Sequence, residues 1–234
     1  MCINGKNFLF SPSLMCMSFL NIRNDINVLN QNFDTFHIDI ADGHFCNNII
    51  LSLDYIKDIK KISKLPIEVH LMVDSPNDYI EQLAKIGVNI ITVHIESIER
   101  NAIRTIDNIH SHGIKVGIAL CPLTPVRYIY PLLSYIDIVN VLNVEVGFRG
   151  QPLINEMLQK IKKLSILKRT KSLNYIIQGD GGVEKNTYKK LIDVGTESFV
   201  LGRTALFSKS EILYDACNIM KSEFENALGF REEV

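Results

Sequence analysis

The chain has 234 residues, and its 25 Lys and Arg against 26 Asp and Glu give a formal net charge of -1. Hydrophobic residues make up 47% of the sequence and charged residues 22%, which is ordinary globular composition and excludes disordered and fibrous proteins. The near-neutral charge disfavours nucleic acid as a partner, because that binding depends on a positive surface. We also expect no membrane partner, since no run approaches the roughly 20 apolar residues of a spanning helix.

The cysteines and the first residues of the sequence indicate a cellular location. Five cysteines are scattered along the sequence without a CxxC pair, which favours reduced, mostly buried thiols over a zinc ribbon or a disulfide framework. The first ten residues contain no apolar core long enough for a secretory signal. These features predict a cytoplasmic protein.

Eight short apolar runs recur along the chain. Each is rich in Ile, Val or Phe and too short for a core helix, which is typical of buried strands. The predicted strands span 8–14, 35–40, 66–73, 89–95, 115–120, 136–144, 174–180 and 198–203.

Amphipathic segments lie between the predicted strands. Apolar residues recur at a spacing of three or four, with charges on the other face, and predict helices over 54–63, 78–87 and 155–164. Gly87, Gly113 and Gly195 directly follow helical segments, where a left-handed C-cap favours glycine.

The strand spacing predicts the fold. Eight units in 234 residues leave about 29 residues each, enough for one strand, one helix and two short loops. We therefore predict an α/β protein with one (β/α)₈ TIM barrel over 1–234. The alternative, an open doubly wound sheet, usually carries a glycine fingerprint after its first strand. Here the first strand ends in Ser11-Pro12-Ser13-Leu14, which favours the barrel.

Four ionisable residues fall at the carboxyl ends of predicted strands, where barrel enzymes place their chemistry. His37 and Asp39 alternate on the second strand and therefore point to one side, His70 lies near the end of the third, and Asp180 ends the seventh. Each alone is typical of a hydrogen-bonded core histidine or a turn aspartate. Together they predict a divalent metal site, with Zn²⁺ suited to His and carboxylate ligands.

Glycine-rich loops follow the last three strands. Backbone N–H groups in such loops cradle phosphates, and barrels often bind phosphate beside strands seven and eight. Tight turns without a ligand are the alternative for any single loop. The three loops contain Gly147-Phe148-Arg149-Gly150-Gln151, Gly181-Gly182 and Gly202.

These residues resemble motifs of the ribulose-phosphate 3-epimerase family. The motifs occur in family order over nearly the whole chain, and the segment from Ser11 to Met17 is most similar to the allulose-6-phosphate 3-epimerase branch. The matching pieces are Ser11-Pro12-Ser13-Leu14, His37-Ile38-Asp39, Asp42-Gly43-His44-Phe45, His70-Leu71-Met72-Val73, Gly147-Phe148 with Gly150-Gln151, and Asp180-Gly181-Gly182.

The resemblance implies an isomerase of the ribulose-phosphate-binding barrel type that inverts C3 of a ketose phosphate. The substrate would be D-ribulose 5-phosphate, giving D-xylulose 5-phosphate, or alternatively D-allulose 6-phosphate. One divalent ion, Zn²⁺ or else Fe²⁺, Co²⁺ or Mn²⁺, is implied, and family members are often dimers or hexamers. The implied metal ligands are His37, Asp39, His70 and Asp180.

The resemblance also implies further roles. Asp39 and Asp180 would exchange protons with the substrate through an enediolate. The implied sugar and phosphate contacts are Ser13, His70, Met72, Gly147, Phe148, Arg149, Gly150, Gly181, Gly182, Gly202 and Arg203.

Several positions depart from the family pattern. Ala41 and Leu142 stand where methionines usually cap the metal site, so that only Met72 remains of three, and Glu145-Val146 replaces the usual start of the sixth loop. Cys46 is either a soft extra ligand or a core thiol. Arg149 and Arg203 replace small residues. They either contact the phosphate, select a longer or more anionic substrate, or lie free on the surface.

Two other classes stay open. One is a barrel lyase or decarboxylase of a phosphorylated sugar acid, and the other is a catalytically impaired sugar-phosphate-binding barrel. The retained His and Asp residues argue against the second.

Overall fold

Eight parallel strands form the centre of the protein, in a computed structural model that describes residues 1–3 and 6–229. They are β1 (Leu9–Pro12), β2 (Phe36–Asp42), β3 (Ile67–Met72), β4 (Ile90–His94), β5 (Lys115–Leu120), β6 (Ile138–Leu142), β7 (Ile176–Asp180) and β8 (Ser198–Leu201). All eight predicted strands are therefore confirmed, each within a few residues of its predicted ends.

The strands pair in the order β1-β8-β7-β6-β5-β4-β3-β2. A parallel bridge between Ser13 and His37 joins the end of β1 to β2 and closes the sheet into a barrel. This closure confirms the (β/α)₈ barrel and excludes the open doubly wound sheet. Two short antiparallel additions lie outside the barrel: Cys2–Ile3 pairs with Lys6–Asn7, and Ile49–Ile50 pairs with the end of β2.

Helices connect most of the strands. The α-helices are α1 (Ile22–Leu29), α2 (Leu53–Ile62), α3 (Asn77–Ile86), α4 (Ala102–Ser111), α5 (Met157–Thr170), α6 (Tyr188–Val194) and α7 (Leu213–Ala227), together with a single turn at Ile95–Ile98. A 3₁₀ segment, Val126–Leu132, takes the place of an α-helix after β5 and contains Pro131. Among the described residues, no helix is long and apolar enough to cross a membrane.

The three predicted helices correspond to α2, α3 and α5. The last runs six residues past its predicted end, because Lys168 and Arg169 stabilise its final turn. Gly87, Gly113 and Gly195 adopt the predicted left-handed conformation, with φ of 83°, 71° and 109°.

Apolar side chains fill the space between the barrel and its helices. Phe8, Phe10 and Phe199, at the start of the barrel and on β8, pack against Tyr188 of α6 and Phe224 of α7. The interior of the barrel differs, because polar side chains occupy it. Those fully or almost fully buried there are Glu68, Thr92, Asn140, Gln178 and Ser198.

Four cysteines, Cys16, Cys46, Cys121 and Cys217, are free thiols, and Cys46 and Cys217 are buried. No disulfide joins these four residues, and two of the four are buried, whereas the sequence predicts mostly buried thiols. The side chain of Cys2 lies outside the described part of the structure.

Candidate active site

The four predicted metal ligands converge at the carboxyl ends of β2, β3 and β7. His37 Nε2 lies 3.3 Å from Asp39 Oδ1 and 3.6 Å from Asp180 Oδ2. His70 Nδ1 lies 3.2 Å from the same Asp39 oxygen and 3.6 Å from the same Asp180 oxygen. Two nitrogens and two oxygens thus face one another, and we call these four residues the metal-ligand group.

The metal-ligand group fits a divalent ion. Four ligands about 2.0–2.2 Å from a tetrahedral ion stand about 3.4 Å from one another, and the four nitrogen–oxygen separations in the group are 3.2–3.6 Å. Both ring nitrogens of His37 are buried and have no hydrogen-bond partner of good geometry among the described residues, although Nε2 lies close to both carboxylates of the group. Such an atom is costly unless something pairs with it. His37, Asp39, His70 and Asp180 would therefore hold the ion.

The sequence builds this convergence locally. His37 and Asp39 alternate along β2 and so point to the same side, with Ile38 on the other. Asp39 pairs in register with His70 on the neighbouring strand β3. Asp180 is the last residue of β7, and its side chain is 15% exposed, so that it reaches the open end of the barrel.

The surroundings of the two carboxylates differ. Burial raises the pKa of Asp39, but the charges and hydrogen bonds of His37 and His70 outweigh it and hold that pKa well below its usual value. Ser13 Oγ also donates a hydrogen bond of 2.7 Å to Asp39. At Asp180, burial dominates and raises the pKa. One carboxyl group is therefore held ionised, and the other retains a proton more readily.

A buried carboxylate lies behind His37. Glu68 Oε2 is 3.2 Å from His37 Nδ1, and Glu68 accepts hydrogen bonds from Thr92 at 2.6 Å and from Gln178 at 2.9 Å. Burial lowers the pKa of His37, but Asp39 and Glu68 outweigh it and raise that pKa well above its usual value. A carboxylate behind a ligating histidine fixes the ring and its tautomer.

Glu68 and its partners were not predicted from the sequence. Glu68 stands two residues before His70 on β3, so the alternation that selects His37 with Asp39 also selects Glu68. Asn140 was missed too, although it donates to Asp180 at 3.2 Å and to Gln178 at 2.8 Å.

His94 and Glu96 lie behind His70. His94 Nε2 is 3.0 Å from His70 Nε2, and His94 Nδ1 is 3.2 Å from Glu96 Oε2. His94 is fully buried, as expected of a hydrogen-bonded core histidine, and burial lowers its pKa to about 4. At Glu96, burial raises the pKa, but His94, Thr124 and the backbone N–H of Cys121 outweigh it and lower that pKa to about 2.

A cleft opens above the metal-ligand group. Asp39, His70 and Asp180 line it, whereas His37 lies behind them. The residues predicted to contact sugar and phosphate all line this cleft: Ser13, His70, Met72, Gly147, Phe148, Arg149, Gly150, Gly181, Gly182, Gly202 and Arg203. Met15, Cys16, Leu142 and Val144 also line it and were not assigned contact roles from the sequence.

One side of the cleft is apolar. Ala41, Cys46, Ile50 and Met72 form a buried cluster beside the end of β2. Cys46 belongs to this cluster and is absent from the metal-ligand group, which favours a core thiol over a ligand. Met15, Phe45, Leu51 and Val146 pack against the cluster, so apolar contact persists where Ala41 replaces a larger residue.

The two arginines lie at the rim of the cleft. Arg149 Nη1 donates a 2.9 Å hydrogen bond to the backbone oxygen of Met15, which holds the sixth loop against the first. Arg203 follows Gly202 at the end of β8 and begins a short π-helical turn. Both side chains are exposed.

Comparison with known proteins gives one consistent match. Residues 9–207 match the family described as the ribulose-phosphate 3 epimerase family. The chain is 36% identical to the ribulose-phosphate 3-epimerase of Buchnera aphidicola, over 90% of this chain and 92% of that protein. Identity is 34% to the enzyme of Treponema pallidum, over 87% and 93%, and 35% to that of Bacillus subtilis, over 86% and 93%.

Solved structures support the fold. A tryptophan synthase alpha-subunit from Pyrococcus furiosus superposes with a TM-score of 0.66, covering 96% of this chain and 99% of that one. Its sequence is 15% identical, so this likeness concerns the barrel alone.

Proposed function

This chain belongs to the ribulose-phosphate 3-epimerase family, and we propose that it inverts C3 of D-ribulose 5-phosphate to give D-xylulose 5-phosphate. The observation that carries this proposal is the placement of Asp39 and Asp180. They come from β2 and β7 and approach the same two histidine nitrogens within 3.6 Å. A substrate carbon held between the two carboxyl groups can be reached by one of them from each of its two faces.

The two carboxyl groups account for inversion. Asp39, held ionised, removes the proton from C3, and the electron pair that is left behind is shared with the C2 carbonyl in a planar enediolate. Asp180 then donates its proton to the opposite face of C3, and the configuration is inverted. The reverse reaction exchanges the two roles. The opposite pKa directions of the two groups support this division, because a base must be ionised and an acid protonated.

The metal-ligand group supports a metal-dependent reaction, with Zn²⁺ as the proposed ion because two nitrogens and two oxygens suit tetrahedral Zn²⁺. A bound divalent ion supplies positive charge that stabilises the negative charge developing on the substrate oxygens. Ser13 holds Asp39 by its 2.7 Å hydrogen bond and so orients the base.

The glycine loops are the proposed phosphate site. Gly147, Gly150, Gly181, Gly182 and Gly202 line the same cleft, and backbone N–H groups without side chains in front of them suit phosphate oxygens. Phosphate binding there orients C3 between the two carboxyl groups. Arg149 and Arg203 add positive charge at this rim, which is the proposed reason for arginine at these positions.

A six-carbon substrate is the second candidate. The segment from Ser11 to Met17 resembles the allulose-6-phosphate branch, and its members Ser13, Met15 and Cys16 line the cleft. The relative rates with the two ketose phosphates distinguish these candidates.

Location and assembly are also part of the proposal. A 34% identical relative from rice is a cytoplasmic isoform of ribulose-phosphate 3-epimerase, which supports a cytoplasmic enzyme here. We expect a homo-oligomer, dimeric or hexameric, and no nucleic-acid or membrane partner.

The test measures epimerisation and deuterium exchange at C3 in D₂O with ribulose 5-phosphate and allulose 6-phosphate. We expect a product that carries deuterium at C3. Chelation of the metal should abolish its formation, and added Zn²⁺ should restore it. Asp39→Asn and Asp180→Asn each lower the rate about 10²–10⁴-fold. Asp58→Asn, an exposed carboxylate on α2, is the matched control and leaves the rate unchanged.

Other outcomes would contradict the proposal. Release of CO₂ or cleavage of the carbon chain indicates the lyase or decarboxylase, and tight binding without C3 exchange indicates a silent binder. In the same assay, Arg149→Gly and Arg203→Ser raise the KM about tenfold, because each removes a charge-assisted contact to phosphate. Unchanged KM values show that neither arginine contacts the phosphate.

A further inference from the structure

A buried chain of hydrogen-bonding groups extends from the metal-ligand group away from the cleft. His70 and His94 meet through their Nε2 atoms at 3.0 Å, and His94 Nδ1 meets Glu96 Oε2 at 3.2 Å. Both rings are fully buried and lie nearly parallel, 23° apart with centroids separated by 5.0 Å. Water therefore cannot replace either partner.

The far end of this chain is anchored to the loop after β5. The Cys121 backbone N–H donates to Glu96 Oε1 at 2.9 Å, and Thr124 Oγ1 donates to the same oxygen. Lys160 of α5 donates to the carbonyl oxygens of Cys121 and Thr124 at 2.8 and 2.7 Å. Glu96 is thus also held by two donors outside the histidine pair, both on its other carboxylate oxygen.

Only one arrangement of protons satisfies these contacts when His70 Nδ1 faces a metal ion. A neutral His70 then carries its hydrogen on Nε2, and His94 Nε2 must accept it. His94 in turn carries its hydrogen on Nδ1 and donates it to Glu96. Every buried nitrogen in the chain is then paired, as buried polar groups require.

We propose that His94 and Glu96 are positioning residues, which fix the tautomer and orientation of His70 and thereby strengthen metal binding by the metal-ligand group. The inference rests on the proposed metal-dependent function. It parallels the placement of Glu68 behind His37, so that a carboxylate lies behind both proposed histidine ligands, 3.2 Å away in one case and beyond a second imidazole in the other.

The same protons argue against a second metal ion at His94. Cys121 Sγ lies 3.4 Å from His94 Nδ1, and His94, Glu96 and Cys121 group closely enough to resemble a three-ligand site. An ion on His94 Nδ1 would place the ring hydrogen on Nε2. That hydrogen would point at the Nε2–H of His70, 3.0 Å away. The hydrogen bond between His70 and His94 is therefore compatible with an ion on His70 Nδ1 or on His94 Nδ1, but not with ions on both.

The first test measures the dissociation constant of Zn²⁺ by competition with a chromophoric chelator, without substrate. We expect His94→Phe and Glu96→Gln to weaken binding about 10–100-fold. His94→Gln keeps an acceptor for His70 and weakens binding less. His112→Gln and Glu99→Gln, both exposed, are the matched controls and leave the dissociation constant unchanged.

The second test needs no variant and covers the case of a variant that fails to fold. Long-range ¹H–¹⁵N correlation spectra of the Zn²⁺-loaded wild-type protein report which ring nitrogens carry hydrogen. We expect hydrogen on His70 Nε2 and His94 Nδ1, and one Zn²⁺ per chain.

Three results overturn the inference. They are a dissociation constant for folded His94→Phe within about twofold of wild type, a hydrogen on His94 Nε2, and two Zn²⁺ per chain with one lost in Cys121→Ser. Neither measurement requires turnover. Absence of epimerisation with normal Zn²⁺ binding would therefore refute the proposed function and leave the inference standing.

Discussion

Asp39 and Asp180 are the same kind of side chain in different surroundings. Both face the same two imidazoles, but Asp39 lies closer to them, at 3.2–3.3 Å against 3.6 Å for Asp180. Asp39 also accepts from Ser13, whereas Asp180 ends its strand and accepts from Asn140. The donors around Asp39 outweigh the effect of burial on its pKa, but burial prevails at Asp180. The different surroundings of the two groups therefore support the separate acid and base roles proposed for them, although the two side chains have the same chemistry.

Asp42, at the end of β2, offers a pH-dependent prediction outside the metal-ligand group. Its carboxylate accepts from the backbone N–H groups of His44, Phe45 and Asp74 at 2.8–3.0 Å. Burial raises its pKa, but these three donors outweigh it and lower the pKa below the ordinary value of 3.8. A lowered pKa stabilises the folded state above about pH 4, and this stabilisation is lost as the pH falls through the folded-state pKa.

Asp42→Asn is expected to lower the free energy of unfolding by about 1–2 kcal/mol at pH 7, because the amide directs an N–H at the N–H of Asp74. The difference from wild type shrinks below about pH 4, where the Asp42 carboxyl group of the unfolded chain is protonated, and is lost as the pH falls through the lower folded-state pKa. Urea unfolding at pH 7, 5 and 3 measures this. Asp54→Asn, an exposed position in the first turn of α2, is the control. A difference that persists unchanged to pH 3 would refute the electrostatic explanation.

The loops after β6 and β7 contact each other at Gly182. Gly182 has φ of +60°, and a Cβ at this position would lie 2.6 Å from Leu153 Cα and 2.7 Å from Leu153 N. The obstacle is backbone, which cannot rotate away as a side chain can. Gly182 is therefore required both by its left-handed conformation and by the approach of the sixth loop.

Gly182→Ala is expected to destabilise the protein by about 3 kcal/mol, from left-handed strain together with the clash against Leu153. Gly113→Ala is the matched control, because Gly113 has φ of +71° but nothing within 4 Å of the added carbon. It is expected to lose only about 1 kcal/mol. Equal losses in the two variants, measured by urea unfolding, would show that the contact with Leu153 contributes nothing.

The strands were predictable because each carries its own signal. Apolar runs, helix-terminating glycines such as Gly87 and even spacing are local features, and alternation on β2 placed His37 and Asp39 together. Glu68 and Gln178 could not be paired in this way, since they are 110 residues apart and meet only across the closed barrel. The 3₁₀ segment at Val126–Leu132 was also not predicted. Pro131 lacks the backbone N–H that an α-helix would use at this position, so this connection departs from the strand–helix repeat.

At the scale of the whole barrel, the metal-ligand group joins strands that are not neighbours. His37, Asp39 and His70 lie on β2 and β3, whereas Asp180 lies on β7, which is separated from β2 by β8 and β1. Beneath them, the 2.9 Å bond from Gln178 to Glu68 spans the same gap. An ion held by all four residues would tie opposite sides of the barrel together in the folded state only.

Removal of the ion is therefore expected to lower the melting temperature of the whole molecule. An ion present at about 100 times its dissociation constant stabilises the folded state by about 2.7 kcal/mol, which corresponds to roughly 5–10 °C for a chain of this size. Differential scanning calorimetry with and without chelator measures the shift. Asp180→Asn removes the cross-barrel ligand and should abolish most of the metal-dependent shift, whereas Asp58→Asn should retain it. A full shift in Asp180→Asn would show that the ion does not link β7 to β2 and β3.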